Sequence, residues 1–362
     1  MSAFTTPVVI FVFNRTQTLR RLLTVLAELR PATLMIVADG PRAGHGEDER
    51  RCAAVRALVE RVEWPCSVRR NYAAANLGCD RRIESGVDWV FDQVDEAIFL
   101  EDDLLPDPSF FTWCHEMLSR YRRDPSVMQA VGRNELARWH RAFGDHHLIW
   151  RASPLGWATW RDTWIAGQSV PLPGEQSAID RLVAQGRLDP LLGEHFTMLR
   201  DLVQHGGATA WDSRWALRRV LLGGATAVPP MNLVAHDIFD SDATHNRFAN
   251  DIRRLQPIGK ASAPVGGFKP VPDARLDRWA LLLDLLATYR ELSAVRRLAR
   301  APKLPIGHSL RHHLAPFALR EETIAALRHL QGCLSDPAAL APLLELFDDS
   351  GATAEPMGSG AD

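Results

Sequence analysis

The chain has no Cys-x-x-Cys pair, no apolar run long enough to cross a bilayer and almost no net charge, and each absence removes a class of function. Its five cysteines, Cys52, Cys66, Cys79, Cys114 and Cys333, are odd in number and scattered. That pattern speaks against a disulfide framework and a cysteine zinc site, and it suits a reducing cytoplasm. A formal charge of -2, from 42 basic and 44 acidic residues, gives no general pull toward nucleic acid or an anionic membrane. The first apolar run, residues 8–13, has no positive segment before it, is too short to span a bilayer and ends at Asn14-Arg15. It reads as a buried strand, so neither a secretion signal nor a transmembrane anchor is expected. No Gly-x-Gly-x-x-Gly follows that strand and no Gly-Lys-Ser/Thr motif occurs, which disfavours dinucleotide oxidoreductases and P-loop enzymes.

What is present is an alternation of short apolar runs with helical periodicity. Residues 8–13, 34–38, 67–72, 97–100 and 127–131 read as strands, while Leu19, Leu22, Leu23 and Leu26, then Val55, Leu58, Val59 and Val62, recur at helical spacing. Strands separated by helices imply an α/β fold with a mostly parallel central sheet and flanking helices. With 362 residues, 46% of them hydrophobic, the chain has ample material for such a core.

In sheets of this kind ligands bind beyond the carboxyl ends of the strands. Those ends deliver Asn14-Arg15, Asp39-Gly40-Pro41-Arg42, Asn76-Leu77-Gly78 and Glu101-Asp102-Asp103. The last is the most informative, because three adjacent carboxylates repel one another unless a cation or strong donors compensate them. Hard divalent ions choose such oxygens. Without a glycine cradle, a metal held there is the natural means of neutralising a diphosphate. The competing reading is an acidic loop solvated at the sheet edge.

The ordered set of strand-end motifs resembles glycosyltransferases of the GT-A fold, which use nucleotide-diphosphate sugars. Leu155-Gly156-Trp157 and Trp211-Asp212-Ser213-Arg214-Trp215 resemble elements of N-acetylglucosaminyltransferase I and its bacterial relatives, with one residue inserted before the second tryptophan. Pro230-Met231-Asn232-Leu233-Val234 and Asp242-Ala243-Thr244-His245 are similar to the closing part of the bacterial group. The resemblance spans residues 7–250 and implies a Rossmann-like sheet, a Mn²⁺ or Mg²⁺ cofactor and a UDP-sugar donor, with UDP-GlcNAc as one candidate. It implies Asp103 as the metal ligand, joined by His245 from a closing loop, with Glu101 and Asp102 ordering water or sugar hydroxyls.

Asn14, Arg15, Asp39, Asn76, Arg81 and Trp157 are the further candidates for donor binding; of the adjacent Arg81 and Arg82, only one side chain can point to the site. For Asp39 the rival is plain turn chemistry. Asp212 is the candidate base of an inverting transfer, and a salt bridge to Arg214 or Arg218 is its rival role. The tryptophans at 139, 150, 157, 160, 164, 211 and 215 serve as core or as platforms for sugar faces, and His146-His147 and His312-His313 read as surface residues.

The expected organisation is a transferase domain over 1–256, a linker over 257–273, a helical region over 274–348 and a disordered tail over 349–362. The acceptor is expected to be a glycan, a lipid-linked glycan or a protein. The helical end, with its basic cluster at 296–300, is a candidate for pairing two protomers or for peripheral membrane contact. Two alternatives stand beside this: a sugar-nucleotide nucleotidyltransferase and a non-catalytic interaction module on the same scaffold.

Overall fold

Alternate side chains of the central strands enter two different apolar layers, which is why those strands read as continuous hydrophobic runs. In the computed structural model, which describes residues 4–139, 146–206, 210–236, 256–261, 269–287, 319–345 and 347, strands β1 (Val8–Val12), β2 (Thr33–Ala38), β3 (Ser67–Tyr72) and β4 (Glu96–Glu101) run parallel in the order β3-β2-β1-β4. Val8, Ile10 and Val12 pack toward Leu19, Leu22 and Leu26 of helix α1 (Thr16–Leu29), Val55 of α2 (Gly46–Val59) and Phe110 of α4 (Ser109–Tyr121). Val9 and Phe11 enter the opposite layer, with Ile83 and Val87 of α3 (Cys79–Phe91). The α/β class and the strands read from periodicity are therefore as expected.

The sheet continues past β4 with β8 (Trp157–Trp160), β6 (Val127–Val131), β9 (Ala225–Val228) and β7 (His147–Ile149). Strand β8 is antiparallel to both its neighbours and β7 is antiparallel to β9, so six of the eight strands share one direction. A separate ribbon pairs β5 (Leu104–Pro106) with β10 (Val234–His236). Residues after 133, loop-rich to the eye, thus contain strands of three or four residues, too short to display a period, and helices α5 (Arg161–Gln168), α6 (Gln176–Ala184), α7 (Pro190–Gln204) and α8 (Trp211–Leu221).

The tryptophans at 150, 157, 160, 164, 211 and 215 are all buried. The indole N–H groups of Trp150, Trp160, Trp164 and Trp215 find partners: Trp215 donates to Gln129 Oε1 at 2.7 Å and Trp164 to Asp88 Oδ1 at 2.7 Å. His146 and His147 are also buried, contrary to the surface reading; His146 bonds the Tyr121 hydroxyl, and His147 Nε2 lies 2.7 Å from the Trp139 carbonyl oxygen. Their aromatic surroundings, assembled from distant segments, gave no local signal. His312, His313, the basic cluster and residues 349–362 lie outside the described residues.

Helix α9 (Ala274–Ala287) joins the second layer and packs against α10 (Arg320–Gln331). Within residues 257–273, Gly259 N donates to Asn232 O at 2.8 Å and Asp273 N to Leu148 O at 2.7 Å. Buried Asp277 fastens α9 to β7, accepting from Trp150 N at 2.7 Å and Arg151 N at 2.9 Å. Asp277→Ala leaves both buried amides without a partner and is expected to cost about 2–4 kcal/mol in urea unfolding. A loss below about 0.5 kcal/mol would show that the anchor is dispensable. Among the described residues no helix is long and apolar enough to cross a membrane.

Candidate active site

The carboxyl ends of β1, β2 and β4 open onto a cleft of about 510 Å³, within the size range of small-molecule sites. Arg15, Asp39, Asn76, Glu101, Asp102, Asp103 and Asp212 all line it. Seven of the eleven residues singled out from the sequence therefore converge.

The three acids are unequal because their donors are. Asp102 is tied to the end of β1, where Phe13 N donates to Oδ2 at 2.9 Å and Arg15 Nη1 to Oδ1 at 2.9 Å. The same Arg15 Nη1 lies 3.3 Å from Asp103 Oδ2. One guanidinium thus faces three carboxylates. Burial, reinforced by Asp103 and Asp102, pushes the Glu101 carboxyl up to about 8, and burial raises Asp102 to about 6. Burial acts on Asp103 in the same sense, yet His236 and Arg15 outweigh it and hold that carboxyl below its usual value. Asp103 is therefore the one of the three acids whose ionised form its surroundings favour.

His236 reaches Asp103 through the β5–β10 ribbon. The register sets His236 opposite Leu104, next in sequence to Asp103, and brings Nε2 to 3.4 Å from Asp103 Oδ2. This histidine was missed in the sequence; the signal available was the short alternating stretch that follows Asn232-Leu233.

Asp39 serves the loops rather than presenting a free carboxylate. Its oxygens accept from Gly40 N (2.8 Å), Leu77 N (2.9 Å), Asn76 Nδ2 (2.9 Å) and Gly78 N (3.2 Å). Four donors occupy about the four lone-pair sites a carboxylate has, so Asp39 fixes the two loops beneath the ligand space. Gly40 permits the close approach: a Cβ there would lie 2.4 Å from the Ala75 carbonyl carbon. Asn14 acts at one remove, donating to Asp48 Oδ1 at 2.9 Å, and Asp48 in turn holds the Arg42 guanidinium beside the Phe13 ring.

Asp212 stands in the first turn of α8, with Ser213 N donating to its Oδ1 at 2.7 Å. Its rival role is not what the geometry shows: Arg214 and Arg218 reach Glu84 instead, at 2.9 and 3.8 Å. Burial raises the Asp212 carboxyl above its ordinary value, with Asp284 and Asp80 acting in the same sense and Arg151 against it.

Asn14 does not line the cleft, and neither Arg81 nor Trp157 is brought into it. Arg81 is exposed; its neighbour Arg82 takes the inward position and spends its guanidinium on Ala38 O and on Asn71. Trp157 lies in the second layer, its ring stacked on Phe99 with centroids 4.5 Å apart and 5.5 Å from Trp211. His245 lies outside the described residues.

Among the described residues no group of three or more His, Cys, Asp and Glu side chains is arranged to hold a metal. A carboxylate kept ionised beside an imidazole nevertheless fits a divalent ion that takes its other ligands from substrate oxygens and water.

No protein-family model matches the chain, and no curated protein matches it. Among solved structures it is similar to the mannosyltransferase PcManGT from Pyrobaculum calidifontis in complex with GDP-Man and Mn²⁺, with 16% identity, a TM-score of 0.41 and coverage of 95% of this chain and 88% of that one. It is also similar to a UDP-glucose pyrophosphorylase complexed with UDP-glucose, at 9% identity and a TM-score of 0.33, covering 63% of this chain and 91% of that one. A third is the inositol-1-phosphate CTP transferase from T. maritima, at 8% identity and a TM-score of 0.31, covering 63% and 86% of the two chains.

Proposed function

We propose that the chain is a GT-A-type glycosyltransferase that moves a sugar from a UDP-sugar onto an acceptor hydroxyl with inversion. The observation that carries this reading is that Glu101, Asp102 and Asp103, at the end of β4, share one cleft with Asp212, a half-buried carboxylate from a different element. The first group suits a diphosphate held through a cation; the second suits proton abstraction.

In this reading Asp103 and His236 hold Mn²⁺ or Mg²⁺, which when bound supplies the positive charge that stabilises a departing nucleoside diphosphate. Arg15 stands beside the same acids and faces phosphate oxygens. The loops fixed by Asp39 and Asn76 shape the nucleoside end. Asp212 takes the acceptor hydroxyl's proton as that oxygen attacks the anomeric carbon. Acceptors are a growing glycan, a lipid-linked glycan or a protein. No lysine lines the cleft among the described residues, which weighs against a nucleotidyltransferase.

A panel of UDP- and GDP-sugars with Mn²⁺, followed by release of nucleoside diphosphate, tests the proposal. At least one UDP-sugar is expected to be turned over, and EDTA to abolish it. Failure of the whole panel to bind or react would refute it.

A further inference from the structure

The candidate base sits on a helix whose start has no cap of its own. The first turn of α8 is preceded by Ala210, whose side chain accepts nothing, and the amides of a helix start must be satisfied from elsewhere. The missing acceptor comes from another element: Asp80 Oδ1, in the first turn of α3, accepts the Trp211 amide at 2.6 Å. A carboxylate at that position also opposes the positive end of the helix dipole.

Asp80 is itself held by the donor side of the cleft. Helix α3 begins at Cys79, immediately after Gly78, whose amide is bound by Asp39. A short covalent and hydrogen-bonded path therefore runs from the end of β2 through Asp39, Gly78 and Asp80 to Trp211 and Asp212. Further along the same two helices, Glu84 meets Arg214 and Arg218 at 2.9 and 3.8 Å, so the pair is fastened a second time, away from the cleft. Asp80 also lines the cleft, yet its described bond goes to the backbone of α8.

We propose that Asp80 is a positioning residue: by capping α8 from α3 it fixes Asp212 at a set place relative to the donor-binding loops. This rests on the proposed role of Asp212 as base. Its consequence is a division of effects: loss of the cap misplaces Asp212 and leaves the nucleotide's own contacts intact.

The test compares the wild-type chain with D80A, D80N and E84Q. UDP affinity is measured by calorimetry with Mn²⁺ present, turnover is read as UDP release from UDP-GlcNAc, UDP-glucose and UDP-galactose, and amide exchange is followed over Trp211 and Asp212. For D80A, kcat is expected to fall about 10- to 100-fold, with KM for the donor and UDP affinity within about 2-fold of wild type. Exchange at Trp211 should quicken in the same variant. D80N keeps an acceptor oxygen at the cap and should stay within about 3-fold of wild type in kcat. E84Q loosens the helix pair without touching the cap, and is expected to lower stability but to spare kcat. Should D80A fail to fold, D80S, whose hydroxyl is too short to reach the amide, carries the same expectation as D80A. Wild-type kcat in D80A or D80S, a parallel loss of UDP affinity, or an equal kcat loss in E84Q would each overturn the inference. A wild-type chain that neither binds UDP nor turns over any donor overturns the transferase reading itself, and the inference with it.

Discussion

Replacing Asp103 by alanine is expected to lower nucleoside-diphosphate release by about 10²- to 10³-fold, the usual consequence of removing a preorganised stabiliser of developing charge. Of the three acids at the end of β4, only Asp103 is held below its ordinary carboxyl value, by His236 and Arg15 acting against burial. Its ionised form is the one the surroundings favour, which suits a ligand to a cation. Burial and the neighbouring acids push the Glu101 carboxyl up, and Asp102 is already engaged by Phe13 N and Arg15. The same substitution should remove most of the Mn²⁺-dependent part of UDP affinity. Because it also relieves repulsion on Glu101 and Asp102, Asp103→Ala should not unfold the protein; thermal unfolding checks this. Unchanged turnover in a folded Asp103→Ala protein would show that this acid holds no catalytic cation.

Asp212→Asn is expected to reduce transfer to the acceptor by about 10²- to 10⁴-fold while UDP affinity stays near wild type. An amide keeps an oxygen to accept from Ser213 N but takes no proton. The pH dependence follows with a definite sign. Burial raises the Asp212 carboxyl, a base works only when deprotonated, and so the wild-type rate climbs as pH rises through that raised value. The residual activity of the asparagine variant should lack that rise. A variant that transfers at wild-type rate, or one that keeps the same acid limb, would remove Asp212 from the chemistry.

The strands β1, β2 and β4 and the acids that close β4 were legible because parallel strands buried on both faces produce unbroken apolar runs, and charged residues at their ends are conspicuous. The Leu19, Leu22 and Leu26 face of α1 was legible because a helix buried on one side repeats its apolar residues every three to four positions. What escaped depends on pairings distant in sequence. The antiparallel insertion of β8 between β4 and β6 is four residues long and shows no period. His236 gains its position only through the ribbon with β5, whereas His245 drew the eye because it lies in the recognisable motif. Helical phase decided between Arg81 and Arg82, and a single residue's shift is below what spacing alone resolves. Trp157 looked like a sugar platform, yet its alternation along β8 turns it into the layer with Phe99 and Trp164. Asp39 lies in the cleft as expected, but the number of donors around it could be counted only once Leu77 and Gly78 were brought back beside Gly40.

The central claim, a nucleoside diphosphate anchored through a divalent ion at the end of β4, is tested most directly by a crystal of the chain grown with UDP and Mn²⁺ and measured at the manganese edge. An anomalous peak adjoining Asp103 and His236, with the diphosphate against it and the nucleoside over the Asp39 and Asn76 loops, is the predicted result. UDP bound without manganese at Asp103, or bound outside this cleft, would contradict it.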